Sequence, residues 1–222
     1  TGVQTCALPI YLWINPSNSN NIALADDGGA SVSFNFGSSW STLNNQPTGQ
    51  FYRVNTDNLF PYKIYGGQQD NTSVIISSRT NGSGITERDW NFGPGCESAY
   101  LAFDPENPVK VMGGCYQGYI EILDKATQES KDVQAYPQLN LAVPPKQLRY
   151  RFNWNAPILA SLHEKGVYYH TGNRVLKTTN EGISWTPISP DLTRDDTLHQ
   201  GPGGIPLTNE GAGGEKIGRA HV

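Results

Sequence analysis

Apolar residues in this chain come in short runs, each closed by Asn, Asp, Pro or Gly, and the runs recur in sets. A first run leads into an Asn/Asp/Pro turn at Trp13-Ile14-Asn15-Pro16, Arg53-Val54-Asn55, Leu101-Ala102-Phe103-Asp104-Pro105 and Arg151-Phe152-Asn153-Trp154-Asn155. A second run ends in glycine or polar residues over 22–29, 62–70, 109–116 and 166–173, and a third occupies 31–35, 73–79, 119–124 and 174–178. Short alternating or continuous apolar runs punctuated this way are strands, not helices. No stretch sustains a 3.6-residue period; 159–165 comes nearest and is short for a helix.

The tryptophans set the repeat. Trp40, Trp90 and Trp185 lie 50 and then 95 residues apart, and the missing beat falls near Tyr136, within 133–137. A unit of about 48 residues built from short strands is a propeller blade. The expected fold is all-β, a β-propeller fragment of about four four-stranded blades.

Two segments at blade spacing carry a family resemblance. Ser33-Phe34-Asn35-Phe36-Gly37-Ser38-Ser39-Trp40 and Thr178-Thr179-Asn180-Glu181-Gly182-Ile183-Ser184-Trp185 resemble the Asp-box, or bacterial neuraminidase repeat, with Asn in the Asp place. Residues 66–71, 151–158 and 185–194 resemble the bacterial propellers usually labelled glycosyl hydrolase or sortilin-like. The resemblance covers nearly all of 11–194, and photosystem-assembly propellers share the same repeats. It implies a structural hairpin role for Ser33, Asn35, Gly37, Trp40, Thr178, Asn180, Gly182 and Trp185.

Chemistry in a propeller belongs to the other end, on the loops joining second to third strands and fourth to first. That scheme gathers Asp26, Asp27, Gln68, Gln69, Asn71, Tyr116, Gln117, Arg151, Asn173 and Arg174 as candidate ligand contacts, with Asp70 and Glu97 as the candidate catalytic carboxylates. Amides, carboxylates, an aromatic ring and guanidinium groups suit a glycan or peptide ligand; the same residue types also close turns. Glycoside hydrolysis needs two carboxyl groups flanking the scissile bond. Sialidase chemistry would need an arginine triad and a tyrosine nucleophile, and Arg151 and Arg174 supply only two arginines. The expectation is a binding propeller, with a sialidase- or xyloglucanase-like hydrolase as the alternative.

Composition narrows the partners. The 222 residues are 36% hydrophobic and 16% charged, with 24 Gly, 15 Pro and a net charge of -4, which gives no basic surface for nucleic acid and no membrane span. Cys96 and Cys115 stand on either side of the 104–108 turn; they either form a disulfide suited to an oxidising compartment or remain buried thiols. His163, His170, His199 and His221 show no ligand spacing, so neither a metal nor a cofactor is expected.

The ends read differently from the middle. Residues 1–10 (TGVQTCALPI) and 217–222 (IGRAHV) match the two mirrored halves of a translated sequencing adapter. The expected organisation is therefore an adapter-derived 1–10, four blades over 11–200, a loop into a further blade over 201–216 and an adapter-derived 217–222. A secreted or periplasmic protein is expected, and an isolated arc with open edges is expected to self-associate.

Overall fold

The computed structural model describes residues 11–26, 29–42, 49–97, 100–138 and 143–200, except for the side chain of His199. Both adapter-like ends, the 201–216 segment, Asp27, Cys6 and His221 lie outside the described residues. The chain divides into two compact units, Thr1–Gly49 and Gln50–Val222.

The first unit holds a three-stranded antiparallel sheet of β1 (Tyr11–Ile14), β2 (Ile22–Asp26) and β3 (Gly29–Ser33), in that order. Four strands were expected. The Ser41 N–H donates to the Val32 carbonyl at 2.9 Å, where a fourth strand would begin, and 43–48 lie outside the described residues.

The second unit holds three four-stranded antiparallel sheets. Their strands, each in sequential order, are β4 (Phe51–Thr56), β5 (Lys63–Gln68), β6 (Ser73–Ser77) and β7 (Trp90–Phe92); β8 (Leu101–Ala102), β9 (Lys110–Gly114), β10 (Ile120–Asp124) and β11 (Glu129–Asp132); and β12 (Ile158–Ala160), β13 (Tyr168–Thr171), β14 (Val175–Thr178) and β15 (Thr186–Pro187). No α-helix occurs among the described residues, only four 3-10 turns.

These sheets stack face to face, and the middle one shows why its strands read as continuous apolar runs. Successive strand residues point to opposite faces. Leu101 and Val111 pack with Phe103 against Tyr65 and Ile75 of the preceding sheet, while their neighbours Ala102 and Met112 pack with Ile120 and Ile122 against Ile158 and Tyr168 of the following one. A sheet covered on both faces has no polar side to alternate with. The chain is all-β, and the sheets of the second unit are propeller blades: up-and-down four-strand units packed face to face through two apolar layers.

Two predicted positions move. The first strand of the last blade is Ile158–Ala160, not 151–155, because Asn153 turns the chain and its Oδ1 accepts the Trp154 N–H at 2.7 Å. The 159–165 segment is the end of that strand and the turn after it. Tyr136 is not the missing beat either. Trp90 opens β7 and Trp185 immediately precedes β15, whereas Tyr136 follows the end of β11. The third blade enters its fourth strand by a tight turn at 125–128, closed by Gln128 N–H to the Asp124 carbonyl at 2.8 Å, which has no place for an aromatic ring.

The loops at Asn35 and Asn180 have one hydrogen-bond pattern. The Ser33 hydroxyl donates to Asn35 Oδ1 at 3.0 Å and accepts from Gly37 N–H at 2.9 Å, while Asn35 Nδ2 donates to the Ser39 hydroxyl at 2.8 Å. Thr178, Asn180, Gly182 and Ser184 repeat these bonds at 2.9, 3.0 and 2.9 Å. Gly37 and Gly182 take φ of 82° and 85°, the left-handed region open to glycine.

Candidate functional site

At one end of the second unit emerge the β5–β6, β9–β10 and β13–β14 turns and the β7–β8 and β11–β12 connections. Most of the candidate contacts sit on these loops. Asp26 closes β2 in the other unit, where it pairs with Gly29.

The acidic part is built on the β5–β6 turn. Asp70 occupies the left-handed region at φ 54°, and Gln68 at the strand end accepts the Asn71 N–H on its carbonyl at 3.1 Å. The Tyr52 hydroxyl holds Gln69 Oε1, and Gln69 Nε2 reaches Asp70 Oδ1 at 3.5 Å. The Asp70 N–H donates to Glu97 Oε2 at 3.1 Å, which sets the Glu97 carboxylate against the β5–β6 turn. Burial raises the Glu97 carboxyl above its ordinary range, and the adjacent Asp70 charge adds to this, although the Asp70 N–H pulls the other way.

Glycine lets the loop bearing Glu97 lie directly on β9. A Cβ on Gly95 would stand 2.2 Å from the Gly114 carbonyl oxygen, and one on Gly113 2.2 Å from that of Pro94. Across this contact the Cys96 N–H donates to the Gly114 carbonyl at 3.1 Å, and Cys96 is disulfide-bonded to Cys115 with a Cα–Cα distance of 4.6 Å. The cysteines stand just outside the first two strands of the blade, before β8 and immediately after β9.

Past Cys115 the chain turns through Tyr116–Gly118, with Gln117 buried at φ 59° and Gly118 at φ 84° against Phe152. Tyr116 stacks on Trp154 with ring centroids 4.7 Å apart and planes 19° from parallel, both rings half-buried. Trp154 is absent from the sequence-derived contacts because its apolar run resembles a strand. The flanking Asn153, Asn155 and Pro157 were the available signal that it belongs to a loop.

Arg151 and Asn173 do different work. Arg151 is buried, and its guanidinium meets Asp191 Oδ2 at 2.8 Å, the Thr193 hydroxyl at 2.7 Å and Asp195 Oδ1 at 2.8 Å. Asn173 accepts the Arg151 N–H at 3.0 Å and donates to Asp191 Oδ2 at 2.7 Å. Burial raises the Asp191 carboxyl, but the bonds from Thr193 and Asn173 and the Arg151 charge outweigh it and hold the group at about 2. This network fastens the 191–195 segment to the β11–β12 connection. Arg174 donates to the Ser189 carbonyl at 3.3 Å.

The opposite end holds a cavity of about 380 Å³ between Asp104–Glu106 and the β12–β13 turn around Ser161 and Glu164. Among the described residues no group of three or more His, Cys, Asp or Glu gathers to hold a metal, and no helix is long and apolar enough to cross a membrane.

No protein-family model and no curated protein matches the chain. Among solved structures it is similar to YCF48 from Cyanidioschyzon merolae, with 14% identity, a TM-score of 0.37 and coverage of 85% of this chain and 58% of that one. It is also similar to an auxiliary nutrient binding protein from Bacteroides thetaiotaomicron, with 13% identity, a TM-score of 0.39 and coverage of 82% and 42%. A third is the Niastella koreensis GH74 enzyme, with 15% identity, a TM-score of 0.42 and coverage of 82% and 29%. The chain thus spans less than two thirds of each. The propeller assignment stands on the sheet topology and packing described above.

Proposed function

We propose that this chain is part of a recognition propeller that holds a saccharide at the loop end bearing Asp70, Glu97, Tyr116 and Trp154. The observation that carries the reading is the Cys96–Cys115 disulfide, which joins the acidic and aromatic parts. Glu97 follows one cysteine and Tyr116 the other, so their Cα atoms lie within about 12 Å of each other, given the spacing of consecutive Cα atoms. A sugar ring offers hydroxyls to carboxylates and amides along its edge and a face of C–H bonds to an aromatic ring. Gln68, Gln69 and Asn71 add amide partners beside the carboxylates.

Hydrolysis by Asp70 and Glu97 is the weaker reading. Retaining and inverting glycosidases hold their carboxyl groups roughly 5 Å or more apart so that the glycosidic bond fits between them. Glu97 Oε2 instead accepts the Asp70 N–H at 3.1 Å, so one carboxyl group of the pair closes the turn that carries the other.

The test is a panel of soluble polysaccharides, sialyllactose and short peptides, assayed for binding and for release of reducing sugar with the full chain and with Glu97→Gln and Tyr116→Ala. Saccharide binding without sugar release, weakened in both variants, supports recognition. Sugar release abolished by Glu97→Gln makes the protein a hydrolase, and binding confined to peptides changes the ligand class.

The disulfide supports a secreted or periplasmic location, since such bonds persist in oxidising compartments. The matching bonds of the Asn35 and Asn180 loops support their reading as Asp-boxes. Sequencing the source DNA across both junctions tests whether 1–10 and 217–222 are adapter-derived.

A further inference from the structure

We propose that Asn81 is a site of spontaneous deamidation, at which the chain converts its own asparagine amide to an aspartyl or isoaspartyl carboxylate. Asn81 is the only asparagine in the sequence followed by glycine. It lies in the loop between β6 and β7, and Asn81, Gly82, Ser83 and Gly84 are all exposed.

The reaction needs the backbone nitrogen of the following residue to reach the asparagine side-chain carbon. Gly82 has no Cβ to obstruct that approach and is the residue least restricted in φ and ψ. Its N–H is turned toward the Thr80 hydroxyl at 3.3 Å, and that hydroxyl donates to the Gly84 carbonyl at 3.1 Å, which leaves Asn81 at the tip of a short turn. The Asn81 amide makes no hydrogen bond among the described residues.

The chemistry balances with water alone. Hydroxide takes the Gly82 amide proton, the Gly82 nitrogen bonds to Asn81 Cγ, and the Cγ–Nδ2 bond breaks as the leaving nitrogen is protonated to ammonia. The resulting cyclic imide is opened by water at either carbonyl, giving an aspartyl or an isoaspartyl link at position 81. The neutral amide becomes a carboxylate two residues from Arg79.

Other asparagines in comparable loops are protected. Asn35 Nδ2 is held by the Ser39 hydroxyl at 2.8 Å and Asn180 Nδ2 by that of Ser184 at 2.9 Å, with Phe36 and Glu181 following in the chain. Asn71 is followed by Thr72, whose β-branched side chain crowds the approach of its own backbone nitrogen to Asn71 Cγ.

The experiment incubates the full folded chain at neutral and mildly alkaline pH and maps peptides by mass spectrometry, with isoaspartyl methyltransferase labelling to identify the rearranged product. The expected result is a gain of one mass unit and isoaspartyl label at position 81, faster at the higher pH and ahead of Asn35, Asn71 and Asn180. Gly82→Ala should suppress the conversion to the level seen at Asn71. A Cβ at Gly82 meets only Thr80 Oγ1 at 3.6 Å and the Gly84 carbonyl oxygen at 3.9 Å, so the variant fits the fold. An intact amide at 81 while other asparagines convert, or equal conversion in Gly82→Ala, overturns the proposal.

Discussion

The Trp185 indole N–H donates to the Val133 carbonyl at 2.8 Å, joining the start of β15 to the chain just beyond β11 of the neighbouring sheet. The same Val133 side chain lies 2.7 Å from where a Cβ on Gly182 would stand. The Asn180 loop is thus fitted against the preceding blade, and its glycine is required by both φ and contact.

Trp185→Phe keeps most of the ring but loses the bond, and is expected to cost about 1 kcal/mol. Gly182→Ala should cost more than about 1 kcal/mol, because the left-handed conformation and the contact with Val133 both oppose it. Urea midpoints of the full chain check both; unchanged midpoints would show that the loop does not bind the blades together.

Acid should weaken the fold in two stages. His170 is fully buried, with Nδ1 2.9 Å from the Pro157 carbonyl and its ring stacked on Phe152, and burial lowers its pKa to about 4. Above its unfolded value of about 6.5 both states are neutral; as pH falls toward 4 only the unfolded chain takes the proton, a loss of roughly 3 kcal/mol. Asp191, held at about 2, contributes stability above its unfolded value that is lost as pH falls from there through 2. Urea titrations at stepped pH should show both stages, and His170→Phe should remove the first.

Arg151→Met leaves Asp191 and Asp195 without their cation. Breaking a buried ion pair by removing one partner costs about 3 kcal/mol. The Asp191 carboxyl should also titrate higher in this variant, as read by NMR; an unshifted Asp191 would mean that the network does not depend on the guanidinium.

Reducing Cys96–Cys115 opens a loop spanning a separation of 19 residues, for which chain entropy gives about 3 kcal/mol. The urea midpoint with and without a dithiol reductant measures this, and Cys96→Ser with Cys115→Ser should match the reduced chain. Equal midpoints would separate the disulfide from the stability of the fold.

Strands buried on both faces were legible because Leu101 to Phe103 and Val111 to Met112 have no polar alternation to hide them. The last first-strand was misplaced because Phe152 and Trp154 are as apolar as Ile158 and Leu159, and only their Asn neighbours distinguish loop from strand. The Asp70–Glu97 contact follows from the turn in which each lies. Arg151 could not be assigned from sequence, since a guanidinium facing a ligand and one facing Asp191 are written with the same residue; only burial separates them.

Calorimetric titration of the polysaccharide and sialyllactose panel into the full chain and into Trp154→Ala tests the recognition site most directly. The account predicts saturable binding by the parent chain, weakened at least about tenfold when the stacked ring is removed, as expected for an aromatic hot spot. Undiminished binding by Trp154→Ala, or none by the parent chain, would contradict it.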